Sequence, residues 1–182
     1  MKKAIAVSEY KTVSAGVTAA DAMLKAADVD IVEAATVCPG KYIVIIAGEL
    51  SAVAAAAEAG KTLCAEQHIG TFTLGNPHEG LFAAIYGTTE VENLRALGVL
   101  ETFDVASMLV AADNAAKTAD VQLIELRLAR GMCGKSYLML TGEVAAVQAA
   151  VDRAKQTAAN EGMYLDSSVI ARPDSKLLGS IV

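Results

Sequence analysis

Hydrophobic and polar positions switch between two periods along this chain, and the switches mark its elements. Residues 3–10 (KAIAVSEY) read as a strand with an acidic end. Between 15 and 27, Val17, Ala20, Met23, Leu24 and Ala27 recur at helical spacing, which predicts an amphipathic helix. Residues 29–37 are rich in Val, Ile and Thr, a strand composition. Cys38-Pro39-Gly40-Lys41 then reads as a type II turn: Pro sets φ at the second position, and Gly accepts the positive φ needed at the third. Tyr42 to Ala47 is a short apolar run, read as a buried strand. An Ala-rich helix is expected over 51–67, with Ser51 as its N-cap. A strand over 69–74 and a short helix after Pro77 complete the first half.

The second half repeats the order. Strands fall near 96–102, 121–129, 135–141 and 163–170, and helices near 107–119, 144–160 and 174–181. The residues recur as well. Ala19-Ala20-Asp21, Lys25, Ala27-Asp28-Val29 and Glu33 return as Ala111-Ala112-Asp113, Lys117, Ala119-Asp120-Val121 and Glu125, all at an offset of 92. The offset becomes 94 after the turn (Lys41, Gly48-Glu49 and Val53 against Lys135, Gly142-Glu143 and Val147) and 96 by Pro77 and Leu81, which match Pro173 and Leu177. A sustained offset with small steps at loops is the mark of a tandem duplication. The order β-α-β-β-α-β plus a terminal helix, occurring twice, places the chain in the α+β class with two ferredoxin-like domains. Their expected spans are 1–90 and 91–182, joined through the polar stretch 87–95.

Composition narrows the function. Each repeat has about 90 of the 182 residues, enough for a small domain with its own core. The net charge is −6, and Lys and Arg are scattered, which argues against nucleic acid, since phosphate binding needs a basic face. Aromatic residues make up 4%, too few for a base-stacking platform. The longest apolar stretch, Tyr42 to Ala57, is broken by Gly48 and Glu49, so a membrane span, which needs about 20 apolar residues, is not expected. Behind Lys2-Lys3 only Ala4 to Val7 precede Ser8-Glu9, too short for a signal-peptide core, and a cytosolic chain is expected. Three cysteines (Cys38, Cys64 and Cys133) are an odd count that argues against a disulfide framework and leaves metal binding or burial.

The first helix of each repeat carries Ala-Ala-Asp-x-x-x-Lys-x-Ala-x-Val, at 19–29 and 111–121. The strands after the turn end in Gly48-Glu49-Leu50 and Gly142-Glu143-Val144, and Gly75-Asn76-Pro77-His78 and Ala171-Arg172-Pro173-Asp174 precede the last helices. These features, over nearly the whole chain and twice, resemble the shell proteins of bacterial microcompartments in their unpermuted, tandem-domain form. They are most like the iron–sulfur-binding tandem shell proteins of propanediol-utilisation compartments, whose Cys-Pro-Gly-Lys loop is matched residue for residue by 38–41.

The resemblance implies a homotrimer that imitates a six-domain tile, lies in a microcompartment shell in the cytoplasm, and contacts neighbouring shell proteins. It implies one 4Fe–4S cluster per trimer, held by Cys38 from three chains at the threefold axis, with electron transfer across the shell and, as further partners, enclosed redox enzymes. One Cys per chain cannot bind a cubane, which normally takes four thiolates, but threefold symmetry brings three copies to one point. Pro39, Gly40 and Lys41 would line the axial opening, alternating with the longer second-repeat loop Arg130-Gly131-Met132-Cys133-Gly134. Lys41, Arg130 and Lys135 would offset cluster charge. Lys25, Lys117 and Arg172 would make tile-edge contacts.

Each residue also has a plainer reading. Cys38 alone could be a buried apolar thiol. Cys64, in the Ala-rich helix, is expected to pack. Cys133 is open between packing, lining the opening and a fourth ligand position, and the resemblance assigns it no metal. His68 and His78 lack zinc spacing and read as surface or turn residues. Lys25 and Lys117 could be solvated helix lysines. Glu9 and Glu101 are equivalent positions of a repeat, so a shared structural cause is preferred to a catalytic pair. No G-x-G-x-x-G, Walker loop or nucleophile set is present, so an enzyme is not expected. Two other functions stay open: a metal-free pore for small-molecule transport, and a ferredoxin-like sensor or enzyme acting alone in the cytosol.

Overall fold

A computed structural model describes residues 3–91, 94–174 and 176–177. The elements in order are β1 (Ala4–Tyr10), α1 (Val13–Ala26), β2 (Val29–Val37), β3 (Lys41–Gly48), α2 (Leu50–Leu63), β4 (His68–Gly75), α3 (Gly80–Tyr86), β5 (Ala96–Thr102), α4 (Val105–Thr118), β6 (Val121–Leu128), β7 (Ser136–Gly142), α5 (Val144–Asn160) and β8 (Tyr164–Ala171). They form two compact units. Unit 1 holds residues 1–77 and 130–134; unit 2 holds 78–129 and 135–182.

Unit 1 is built on an antiparallel sheet of order β2-β3-β1-β4, in which β1 pairs with β3 from Ala4↔Gly48 to Tyr10↔Tyr42. Unit 2 carries the same sheet as β6-β7-β5-β8. This is the ferredoxin-like α+β fold expected from the element order. Val44 and Ile46 of β3 join the core with Tyr10, while Ile43 and Ile45 alternate with them and are buried too. Burial of both faces explains why 42–47 reads as an unbroken apolar run rather than an alternating one.

Helices α1 and α2 lie against this sheet through small residues. Gly16, Ala19, Ala20 and Met23 are the buried positions of α1, and Val53, Ala56, Ala57 and Gly60 those of α2, each at i, i+3, i+4, i+7. The periodicity expected for α1 is correct and its buried face is partly so: Ala20 and Met23 are buried, whereas Val17 and Leu24 are exposed. The glycines mark close approaches. A Cβ on Gly16 would come within 2.3–2.6 Å of the Tyr42 side chain. Fully buried side chains such as Met23, Ile46 and Leu81 contribute about 1.5–3 kcal/mol each to folding.

Helix starts follow local chemistry. Thr12 Oγ1 accepts from the Ala15 N–H at 3.3 Å and begins α1 at Val13, two residues before the periodicity does. Its counterpart Asp104 accepts from the Ser107 N–H at 3.3 Å and begins α4. Ser51 is not a cap: α2 starts at Leu50 with Glu49 as N-cap, without a side-chain bond. Helix α3 packs on β6 and α4 within unit 2. The helix expected over 174–181 falls mostly outside the described residues, though 176–177 are helical. Among the described residues no helix is long and apolar enough to cross a membrane.

Candidate functional site

Strand β2 ends and β3 begins at the pair Val37↔Lys41, which leaves Cys38, Pro39 and Gly40 as a three-residue hairpin loop. The Gly40 N–H donates to the Val37 carbonyl at 3.0 Å. The Cys38–Pro39 peptide is cis, so Pro39 stands at the third position of a type VI turn, not at the second position of the type II turn expected. Gly40 still takes a positive φ of 88°. Pro39 and Gly40 are exposed, and Cys38 is half-buried with a free thiol. The turn thus presents one thiol per chain beside an open tip.

Lys41 points back along the sheet. Its Nζ donates to Glu9 Oε1 at 3.0 Å, a half-buried pair that gives Glu9 a structural partner across the sheet. Lys41 is therefore already matched by a carboxylate, whatever the turn binds.

The corresponding loop of the second repeat runs from Leu128 to Ser136, which pair as the ends of β6 and β7. Ala129, Gly131, Cys133 and Gly134 all have positive φ. Ala129 is buried and its N–H donates to Ser136 Oγ at 3.2 Å. Residues 130–134 belong to unit 1. Arg130 Nη2 lies 2.6 Å from Glu33 Oε1 on β2. Met132 is half-buried, and Gly131 and Cys133 are exposed. The structure brings the loop Arg130–Gly134 into the same unit as the Cys38 turn. Among the described residues no group of three or more His, Cys, Asp or Glu could hold a metal ion.

The other cysteine and the histidines have ordinary roles. Cys64 caps the C-terminus of α2, packs on the unit 1 core and donates its thiol to the Ala15 carbonyl at 3.5 Å. His68 stacks edge-on to Tyr10 at 5.6 Å and bonds Thr71 Oγ1 at 2.8 Å. His78 Nδ1 accepts from the Gly80 N–H at 3.1 Å.

The two helix lysines share a pairing but not a setting. Lys25 donates to Asp21 Oδ2 at 2.6 Å, and Lys117 to Asp113 Oδ2 at the same distance. Asp21 is 62% exposed and Asp113 only 7%. The buried Asp113 also accepts the His78 N–H through Oδ1 at 2.7 Å. Arg172 is exposed, with φ 58°, and its counterpart Asn76 has φ 51°.

A model of the BMC domain matches residues 4–77 and again residues 96–173. The chain belongs to the BMC-domain family. It is 35% identical over its full length to the bacterial microcompartment shell protein PduT of Citrobacter freundii, covering 99% of that protein. A crystal structure of a microcompartment protein from Desulfitobacterium hafniense superposes with a TM-score of 0.95 at 44% identity, over 98% of this chain and 99% of that one. The shell protein EutM of Escherichia coli matches 46% of the chain at 33% identity, over 84% of its own length, as a relative of one BMC domain rather than two.

Within this tandem BMC protein, sequence reasoning singled out the turn cysteine and the helix lysines but passed over Glu33 and Asp113. Their signal was present, since both recur in the repeat, as Glu125 and Asp21. Their partners, Arg130 and the His78 N–H, lie far away along the chain.

Proposed function

We propose that this protein is a structural component of a microcompartment shell in the cytoplasm, working as a homotrimer whose six BMC domains form one tile, with a 4Fe–4S cluster shared by three copies of Cys38. The observation that carries it is a free thiol at an exposed hairpin tip in a chain with two shell-type domains. The PduT relationship over the full length supports the shell role, and as a structural protein it needs no catalytic residues.

A single chain offers one thiolate at this turn, so it does not fit a cubane alone. Three chains about an axis supply three of the four ligand positions, and the fourth is left to water or a partner's ligand. Bound there, such a cluster supplies one-electron transfer across the shell, with enclosed redox enzymes as the partners. The chain's own contributions are positional. The Val37–Gly40 hydrogen bond fixes the turn, Gly40 keeps its tip free of a side chain, and the Lys41–Glu9 pair fixes the base of β3. The loop 130–134, pinned by Arg130, sets Gly131 and Cys133 in solvent as further lining of the axial opening. Lys25, Lys117 and Arg172 serve contacts with neighbouring tiles.

The test is Cys38→Ser. We expect loss of iron and acid-labile sulfide, with trimer mass and circular dichroism unchanged. An iron content equal to wild type would reject Cys38 as the ligand. A wild-type trimer without iron, even after anaerobic reconstitution, would leave a metal-free pore for small molecules.

A further inference from the structure

The two copies of the fold differ along the strip between α2 or α5 and the edge strand beside it. In unit 1 a groove of about 350 Å³ runs there. Ala54, Ala57, Glu58 and Lys61 of α2, at i, i+3, i+4 and i+7, form one wall. His68, Thr71 and Thr73 of β4 form the other. The strand is bulged: Glu9 pairs with Gly70 but Tyr10 with His68. Ile69 is the extra residue, and the bulge turns His68 to the face of Thr71 and Thr73.

Unit 2 fills the equivalent strip with its own side chains. Pairing across each sheet sets the correspondence: Ser8↔Thr71 and Tyr10↔His68 match Leu100↔Ser167 and Thr102↔Tyr164. Gln148 and Val151 stand where α2 has Ala54 and Ala57, and Val169 where β4 has Thr73. Tyr164 replaces His68, and Lys155 Nζ lies over its ring, 5.1 Å from the centroid. The matching Lys61 instead pairs with Glu58 Oε2 at 3.0 Å. Unit 1 also places a hydroxyl in the core. Ser8 is 1% exposed, as is its apolar counterpart Leu100. Ser8 Oγ bonds Thr71 Oγ1 at 2.8 Å, and Thr71 Oγ1 bonds His68 Nε2 at 2.8 Å. A buried hydroxyl costs stability unless it is bonded, and this one serves to hold the imidazole in place. Nε2 is committed to the strand wall, which leaves Nδ1 as the ring's remaining polar atom.

We propose that the α2–β4 groove of unit 1 binds a small organic anion, a carboxylate or phosphate head on a short apolar tail. The head meets the Lys61 ammonium, the His68 ring and the Thr73 hydroxyl, and the tail lies on the methyl groups of Ala54 and Ala57. The volume falls at the lower end of small-molecule sites, and an apolar floor with a few convergent polar groups is their usual make-up. Glu58 is the competitor for Lys61. Theirs is an exposed pair one helical turn apart, and such pairs are weak enough to open for a ligand. The site lies within unit 1 and uses none of the axial turn, so it is independent of the proposed cluster.

The chain has two histidines, so the ring signals in a carbon–proton NMR spectrum of the full-length protein report the groove through His68, with His78 as internal reference. Butyrate and butyl phosphate are titrated at fixed pH, with butanol as the uncharged probe. We expect a saturable shift of His68 with at least one of the anions, the tighter one naming the head group. Butanol should give none, and His78 should stay fixed. Lys61→Gln should abolish the saturable shift, and Glu58→Gln should tighten binding several-fold. Ala54→Gln with Thr73→Val copies the second repeat at two exposed positions, and should abolish binding with circular dichroism unchanged. No saturable shift with either anion overturns the site. A shift that survives Lys61→Gln, or that Glu58→Gln weakens, overturns the assignment of an anion to it.

Discussion

Arg130 Nη2 sits 2.6 Å from Glu33 Oε1, whose side chain is 14% exposed, and this pair anchors the longer of the two hairpin loops in unit 1. The repeat handles the equivalent acid differently. Glu125 is held inside its own sheet by Arg127 at 2.6 Å and by the Tyr137 hydroxyl at 2.6 Å. The first copy has Ala35 and Ile43 at the positions of Arg127 and Tyr137. Glu33 instead takes its cation from the second-repeat loop.

Arg130→Ala leaves the Glu33 carboxylate mostly buried and unpaired, and should destabilise the fold by about 1–3 kcal/mol, read from the urea midpoint at constant slope. Glu33→Gln in the same background should recover part of the loss. A double-mutant cycle with coupling near zero would show that the loop is held by other contacts.

Gly16→Ala offers a test of the close helix–sheet contact. Helix propensity alone would favour Ala by about 1 kcal/mol in this position. The added methyl would meet the Tyr42 Cβ and ring at 2.3–2.6 Å, and the Cβ cannot swing away without moving β3. Overpacking should prevail, with a net loss of roughly 1–2 kcal/mol in chemical denaturation. A stabilised variant would show that α1 rides higher on the sheet.

Two tyrosines set the alkaline limit. Burial pushes the Tyr10 hydroxyl up to about 12, with the nearby Cys64 thiol adding to the shift. Burial does the same to Tyr137, also to about 12, and its bond to Glu125 adds to it. The unfolded chain ionises these phenols near the ordinary value of about 10, so the folded state binds their protons more tightly. The contribution of these two phenols to stability is therefore fully present below about pH 10 and falls as pH rises towards 12. Ultraviolet titration should show both phenols ionising near pH 12, and Tyr137→Phe should remove one of them. Normal titration of both would contradict their burial.

The duplication made the fold legible. Element order, strand count and the twofold pattern all follow from periodicity and from the recurrence of Ala19-Ala20-Asp21 and its neighbours. What stayed hidden depends on a third dimension. Val17 and Leu24 keep helical spacing yet face solvent, because Gly16 and Ala19 let the helix sit on its small-residue side. The hairpin turn closes over Val37–Gly40, one residue before the 38–41 expected, and is of a different type, because residue types alone do not fix the isomer of the Cys38–Pro39 peptide. Glu33 and Asp113 showed their recurrence but not their partners, which fold back from elsewhere in the chain.

The shared-cluster claim is tested most directly by electron paramagnetic resonance of anaerobically purified protein, before and after reduction, with iron and sulfide assayed on the same sample. We predict a cubane signal and roughly four irons per trimer, the stoichiometry that one thiolate from each of three chains implies. A colourless trimer that stays iron-free through anaerobic reconstitution would contradict it.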